Sequence, residues 1–258
     1  MFHRTRSQPR TLCVAIATLS VAVVISDSTS AARRQTPPAV PQAMAPIDLT
    51  GYWVSVVTED WRWRMITPAP GDHSSVPLNV EGRRVTDRWD RGRDLAAGDA
   101  CKAYGAAGIM RMPARLRIAW QDPGTLKVDI DAGQQTRLFH FGESRPPAGR
   151  PGWQGHSVAA WELAGGGGRG APPGGSLTVV TTQMRAGYLR KNGVPYSDGA
   201  VLTEYLDVHE ELNGDRWLTV VSVVNDPTYL FRDFITSTHF KKEPDGTKWR
   251  PTPCEIGD

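Results

Sequence analysis

The feature that most constrains this fold is a run of short alternating segments joined by turns that leave no room for a crossover. Residues 116–121 are followed by Asp122-Pro123-Gly124-Thr125, a strong turn sequence. In 126–131, Leu126, Val128 and Ile130 then share one face, and Lys127, Asp129 and Asp131 the other. Ala132-Gly133 turns the chain again into 135–141. A parallel pair needs about a dozen connecting residues or more, so these three strands are predicted to be antiparallel neighbours.

Further segments with the same alternation and β-branched enrichment lie at 51–58, 156–163, 177–184, 201–211, 217–224 and 235–241, with Asn213-Gly214 as a hairpin signal between two of them. About 8–9 strands in meander order predict a mainly β chain, an antiparallel up-and-down barrel whose closure removes exposed edges. Helix is scarce. Val80, Val85 and Trp89 fall on one stripe behind Asn79 as a cap, and a shorter helix is expected over 94–104. Both fall between the first strand and the meander, so a small helical insert is expected to cover one end of the barrel.

The ends of the chain point to export. His3, Arg4, Arg6 and Arg10 precede an apolar run over 12–25, and small residues follow through Ser30-Ala31-Ala32. This is the pattern of a signal peptide over 1–32, its apolar run shorter than the roughly 20 residues that span a bilayer. No later segment is apolar enough to cross a membrane. Residues 33–46 are polar and Pro-rich and read as a disordered linker, which leaves 47–258 as one domain. Loss of Arg4, Arg6, Arg10 and Asp27 with the leader brings the net charge near +1. The one dense basic stretch, 83–93, is interleaved with Asp87 and Asp90, so it reads as a solvated helix face rather than a nucleic-acid site. Cys101 and Cys254 are the two cysteines left after cleavage, and in an oxidising compartment they are expected to pair. Periplasm or secretion is the expected location.

No motif reaches the strength of a metal, cofactor or catalytic signature. Gly165, Gly167 and Gly170 match the spacing of a dinucleotide loop, but Ala171-Pro172-Pro173 follows where a helix must open, so a hairpin loop is the better reading. Gly155-His156-Ser157-Val158-Ala159 resembles a nucleophile elbow followed by Asp207 and His239. It sits in an alternating strand without the required helix behind it. His73, His140, His156, His209 and His239 show no ligand spacing.

The suggestive residues are polar ones inside apolar strands: Arg137 and His140, Glu204 and Tyr205, and His239. A carboxylate facing a barrel interior is costly unless paired, so Glu204 is expected to meet Arg137, a histidine, Tyr188 or Tyr196. Such a cluster either anchors a ligand or forms a structural network. Trp53, and the alternation Trp61-Arg62-Trp63-Arg64, could grip an anionic or aromatic molecule by stacking. In the alternative, the tryptophans cover the barrel end and the arginines face water.

Asp48-Leu49-Thr50-Gly51-Tyr52-Trp53 resembles the glycine-x-tryptophan opening of lipocalin-like barrels. Gly105-Ala106-Ala107-Gly108-Ile109-Met110-Arg111, residues 135–141, residues 189–197 and Leu202-Thr203-Glu204-Tyr205 are similar to a family of exported bacterial proteins of uncharacterised function. The resemblance implies secretion, a lipocalin-like (calycin-type) barrel and a small apolar ligand, and supplies no catalytic residues. The expectation is a protein that binds a small, partly apolar molecule in the barrel, with Arg137, His140, Glu204, Tyr205, His239, Trp53, Trp61 and Trp63 as ligand-binding candidates. The alternatives are an isomerase, cyclase or hydratase using the cavity for acid/base chemistry, and a non-catalytic envelope scaffold.

Overall fold

The computed structural model describes residues 40–142, 144–146, 148–164 and 174–256. The leader at 1–32, residues 33–39 of the 33–46 linker and the Gly165/Gly167/Gly170 loop therefore lie outside the described residues.

Nine strands close into a barrel. In chain order they are β1 (Gly51–Val56), β2 (Arg115–Asp122), β3 (Thr125–Ile130), β4 (Gln135–Phe141), β5 (His156–Leu163), β6 (Gly175–Thr182), β9 (Val201–Glu210), β10 (Arg216–Asn225) and β11 (Phe234–Glu243). A separate two-stranded hairpin, β7 (Gly187–Tyr188) with β8 (Pro195–Tyr196), branches from the connection between β6 and β9. β2, β3 and β4 are antiparallel neighbours, and β1 closes the wall by pairing with both β2 and β11. The barrel interior takes alternate residues from each strand. Leu126, Val128 and Ile130 lie inside, with Phe139, Leu177, Val179, Leu218 and Phe240 from the facing strands.

The expected all-antiparallel meander is corrected at one seam, where β4 and β5 run parallel. β4 ends at Phe141 and β5 begins at His156, a separation in sequence that suits a crossover. The folded part also starts before residue 47. Gln42 donates its backbone N–H to Pro123 O (3.2 Å), and Trp161 Nε1 donates to Pro41 O (2.8 Å), so residues 40–46 lie against the end of the barrel opposite the helices.

The insert between β1 and β2 holds α1 (Trp61–Arg64), α2 (Val80–Asp87), α3 (Arg91–Ala96), a 3-10 turn (Ala100–Tyr104) and α4 (Ala106–Ile109). Asn79 caps α2 by accepting from Gly82 N (2.9 Å), and Asp90 caps α3 by accepting from Gly92 N (2.8 Å) and Arg93 N (3.2 Å). Insert and β7–β8 hairpin share an apolar cluster that includes Leu78, Ala107, Leu189, Val194, Tyr196 and Phe234. Together they cover one end of the barrel. The C-terminal tail returns to that end, where Thr252 N donates to Asp131 O (2.9 Å) and Cys254 is bonded to Cys101 across a sequence separation of 153. No helix of the described residues is long and apolar enough to cross a membrane.

Candidate functional site

Of the residues the sequence singles out, the structure brings two together. Arg137 and Glu204 face each other across the barrel interior, their side chains 0% and 1% exposed. The pair is bidentate, with Nη1–Oε1 at 3.0 Å and Nη2–Oε2 at 2.5 Å. Nη2 also donates to Thr181 Oγ1 (3.2 Å), which in turn bonds Ser157 Oγ (2.8 Å). The Arg137 guanidinium lies 4.9 Å from the Phe139 ring centroid. Four neighbouring strands, β4, β5, β6 and β9, thus contribute one polar residue each to a network packed inside the wall.

The other candidates are elsewhere. Tyr205 is exposed on the outer face of β9, because it alternates with Glu204. His140 stacks on His156 (5.4 Å between centroids) on the outside of β4 and β5, and burial with the His156 charge lowers its pKa. His239 is outside β11, with Nδ1 3.2 Å from Glu59 Oε2. Trp53 is buried in the core, its Nε1 donating to Leu49 O (2.8 Å) and Lys242 Nζ lying 4.5 Å from its ring centroid. Ser157 points inward while Asp207 and His239 point outward, so the Ser-Asp-His set does not assemble. Among the described residues no three His, Cys, Asp or Glu side chains converge as a metal site.

In the Trp61-Arg62-Trp63-Arg64 alternation Arg62 faces water and Trp63 is half-buried, but Trp61 and Arg64 are placed the other way round from tryptophans inside and arginines outside. Trp61 is 61% exposed, whereas Arg64 points inward and is buried. The cause is local: β1 ends into a left-handed Asp60 (φ 52), and the single turn of α1 that follows turns Arg64 under the insert. There Nε of Arg64 donates to Arg111 O (2.7 Å), and Nη1 pairs with Glu59. Arg111 follows α4, whose Ala106, Ala107, Gly108 and Ile109 are all buried. Its Nη2 pairs with Asp60 Oδ2 (2.8 Å). Arg190 comes from the tip of the β7–β8 hairpin, where Asn192 Nδ2 anchors the turn by donating to Ala69 O (3.0 Å) and Asp72 O (2.8 Å).

These three arginines border a cavity of about 250 Å³ between the insert, the hairpin, the β3–β4 turn and the C-terminal tail. Its walls are partly apolar, from Trp63, Met65, Ile66, Pro68, Met112, Pro113 and Leu189. The polar side carries Arg64, Arg111, Arg190, Lys191 and Glu255. Arg190 is 5% exposed, and its guanidinium lies 5.2 Å from the Trp63 ring centroid. Burial, reinforced by the Arg111 charge, pushes its pKa down to about 10, against the weaker pull of Asp60 and Asp72. Five buried guanidinium nitrogens have no hydrogen-bond acceptor among the described residues: Nη2 of Arg64, Nη1 of Arg111, and Nε, Nη1 and Nη2 of Arg190.

Sequence reasoning placed Trp63 at a ligand site and Arg64 in the same Trp-Arg alternation, but missed Arg111 and Arg190. Arg111 and Arg190 lie in irregular chain, where alternation carries no information about facing. The available signal was Asn192-Gly193 within an apolar hairpin, a turn that presents its preceding residues to whatever packs beside it. Comparison with models of protein families, with curated proteins and with solved structures finds no match to this chain.

Proposed function

We propose that this chain is an exported binding protein that holds a small, partly apolar molecule at the helix-capped end of its barrel. The observation that carries the reading is the cavity of about 250 Å³ with an apolar wall of Trp63, Met65, Ile66 and Leu189 facing a set of polar side chains. Ligand sites combine apolar walls with placed polar groups and favour barrel mouths; here the polar groups make up the larger share of the lining, which suits a molecule with a polar or charged head. The volume is below the roughly 300–1,000 Å³ of drug-sized ligand sites, so the molecule is small. The barrel interior is a poorer site, because packed apolar side chains and the Arg137–Glu204 network occupy it. Export is supported by the Cys101–Cys254 bridge, which suits an oxidising compartment.

Native mass spectrometry of the protein purified from its own host tests this directly. The expected result is an added small mass that leaves on denaturation and is lost in Thr67→Trp, which places an indole at the cavity wall. A bound mass that survives Thr67→Trp unchanged, or protein that binds nothing from host extract, contradicts the proposal.

A further inference from the structure

The arginines say more about the ligand than the apolar wall does. Burying a guanidinium is costly unless its charge and its N–H groups find partners. Elsewhere this chain supplies them. Arg137 has Glu204, Arg64 has Glu59 and Arg111 has Asp60. Arg190 breaks the pattern, with none of its three nitrogens bonded to a described residue. The nearest carboxylates are committed: Asp60 to Arg111, and Asp72 to Trp63 Nε1 (3.3 Å) and Ser74 N (3.0 Å). Glu255 and Lys191, also at the cavity, balance each other in charge. Trp63 lies against the Arg190 guanidinium, and Asn192 fixes the hairpin that carries it, so the group is held in place rather than free to reach water.

We infer that Arg190, with the free N–H groups of Arg64 and Arg111, binds the oxyanion head, carboxylate or phosphoryl, of a small molecule whose apolar part rests on Trp63, Met65 and Leu189. The inference rests on the cavity being the ligand site. A planar guanidinium offers two parallel N–H groups to either head group, and such charge-assisted bonds are the strong ones. Held by buried guanidinium nitrogens, a charged head group with two or more acceptor oxygens is favoured over a neutral alcohol, which offers a single uncharged acceptor.

Calorimetric titration of the full chain with benzoate, phenyl phosphate and benzyl alcohol tests it. At least one of the two anions is expected to bind about tenfold or more tightly than the alcohol, and the tighter of them names the head group. In Arg190→Met that preference is expected to disappear, the affinity for the anion falling to that for benzyl alcohol. The unliganded variant melts at the same temperature or roughly 2–4 °C higher, because an unpartnered buried charge has gone. Arg190→Lys, which keeps the charge without the fork, retains part of the preference. Equal affinity for anions and alcohol in the unmodified protein overturns the oxyanion inference and leaves the ligand site standing, whereas no binding of any probe removes both. A lower melting temperature, or failure to fold, in Arg190→Met also overturns it, since it assigns Arg190 a structural partner such as Asp72.

Discussion

Replacing Glu204 by Gln tests whether the polar network inside the barrel is a structural element distinct from the ligand site. Both partners are sealed, with side chains 0% and 1% exposed, and the carboxylate takes two guanidinium N–H groups at 3.0 and 2.5 Å. The amide keeps one oxygen and turns an NH2 group toward the other guanidinium nitrogen. Arg137 then loses its counter-charge and one acceptor where water cannot replace either. Removing one partner of a buried ion pair costs about 3–5 kcal/mol. With a urea m-value of roughly 2–3 kcal/mol/M, the unfolding midpoint is expected to fall by about 1–2.5 M. The double variant Arg137→Met with Glu204→Leu removes both charges at similar volume and is expected to recover most of the loss or exceed the parent, as apolar replacements of buried pairs often do. Ligand mass in native spectra stays unchanged in both. The reasoning is refuted if Glu204→Gln shifts the midpoint by less than about 0.3 M, if the double variant is as unstable as the two single changes added, or if either change expels the ligand.

Other regions carry their own expectations. Replacing Cys101 and Cys254 by Ser frees the tail across a separation of 153 residues, at an expected cost of about 2–5 kcal/mol in urea unfolding. Because Thr252 and Glu255 border the cavity, ligand affinity falls too, and an unchanged midpoint contradicts this. Gly193→Ala puts a methyl group against the Trp89 ring at a backbone φ of +81°, and is expected to cost roughly 1–3 kcal/mol and displace Arg190; thermal melting and benzoate titration read the two effects, and a neutral result counts against the hairpin's role. Acid unfolding should begin at the carboxylates. Burial pushes Glu59 and Asp129 up, but Thr58 and Arg64 on the first, and Thr136, Arg117 and Lys127 on the second, outweigh it and hold both below their ordinary values of 4.5 and 3.8. Their contribution to stability is therefore full above those values and is lost as pH falls through the lower folded ones, so urea midpoints should fall as pH drops below about 4.5. A midpoint that holds level to about pH 3 contradicts this.

What was legible in the sequence follows from parity. Leu126, Val128 and Ile130 alternate with charged neighbours, so their facing was fixed before any contact was known, and the Asp122–Thr125 turn set the register of β2 and β3. Arg137 and Glu204 likewise sit among inward residues, which made their meeting foreseeable. The same rule argues against their proposed companions. Tyr205 is adjacent to Glu204, and His140 is three places from Arg137, so neither could share the interior with its neighbour in a regular strand. The parallel seam between β4 and β5 was hidden because residues 142–155 have no periodicity to reveal their direction. Arg111 and Arg190, and the inward facing of Arg64, were hidden for a related reason: α1 is one turn, Arg111 follows a buried helix, and Arg190 is at a hairpin tip, so each is aimed by tertiary packing rather than by local pattern.

The most direct test of the cavity as an oxyanion-binding ligand site is a crystal of the protein grown with 4-iodobenzoate, in which the iodine is located by anomalous scattering. The iodine is expected against Trp63, Met65 and Leu189 at the capped end, with the carboxylate about 3 Å from the Arg190 guanidinium. An iodine found inside the barrel beside Arg137, or only on exposed surface lysines, contradicts it.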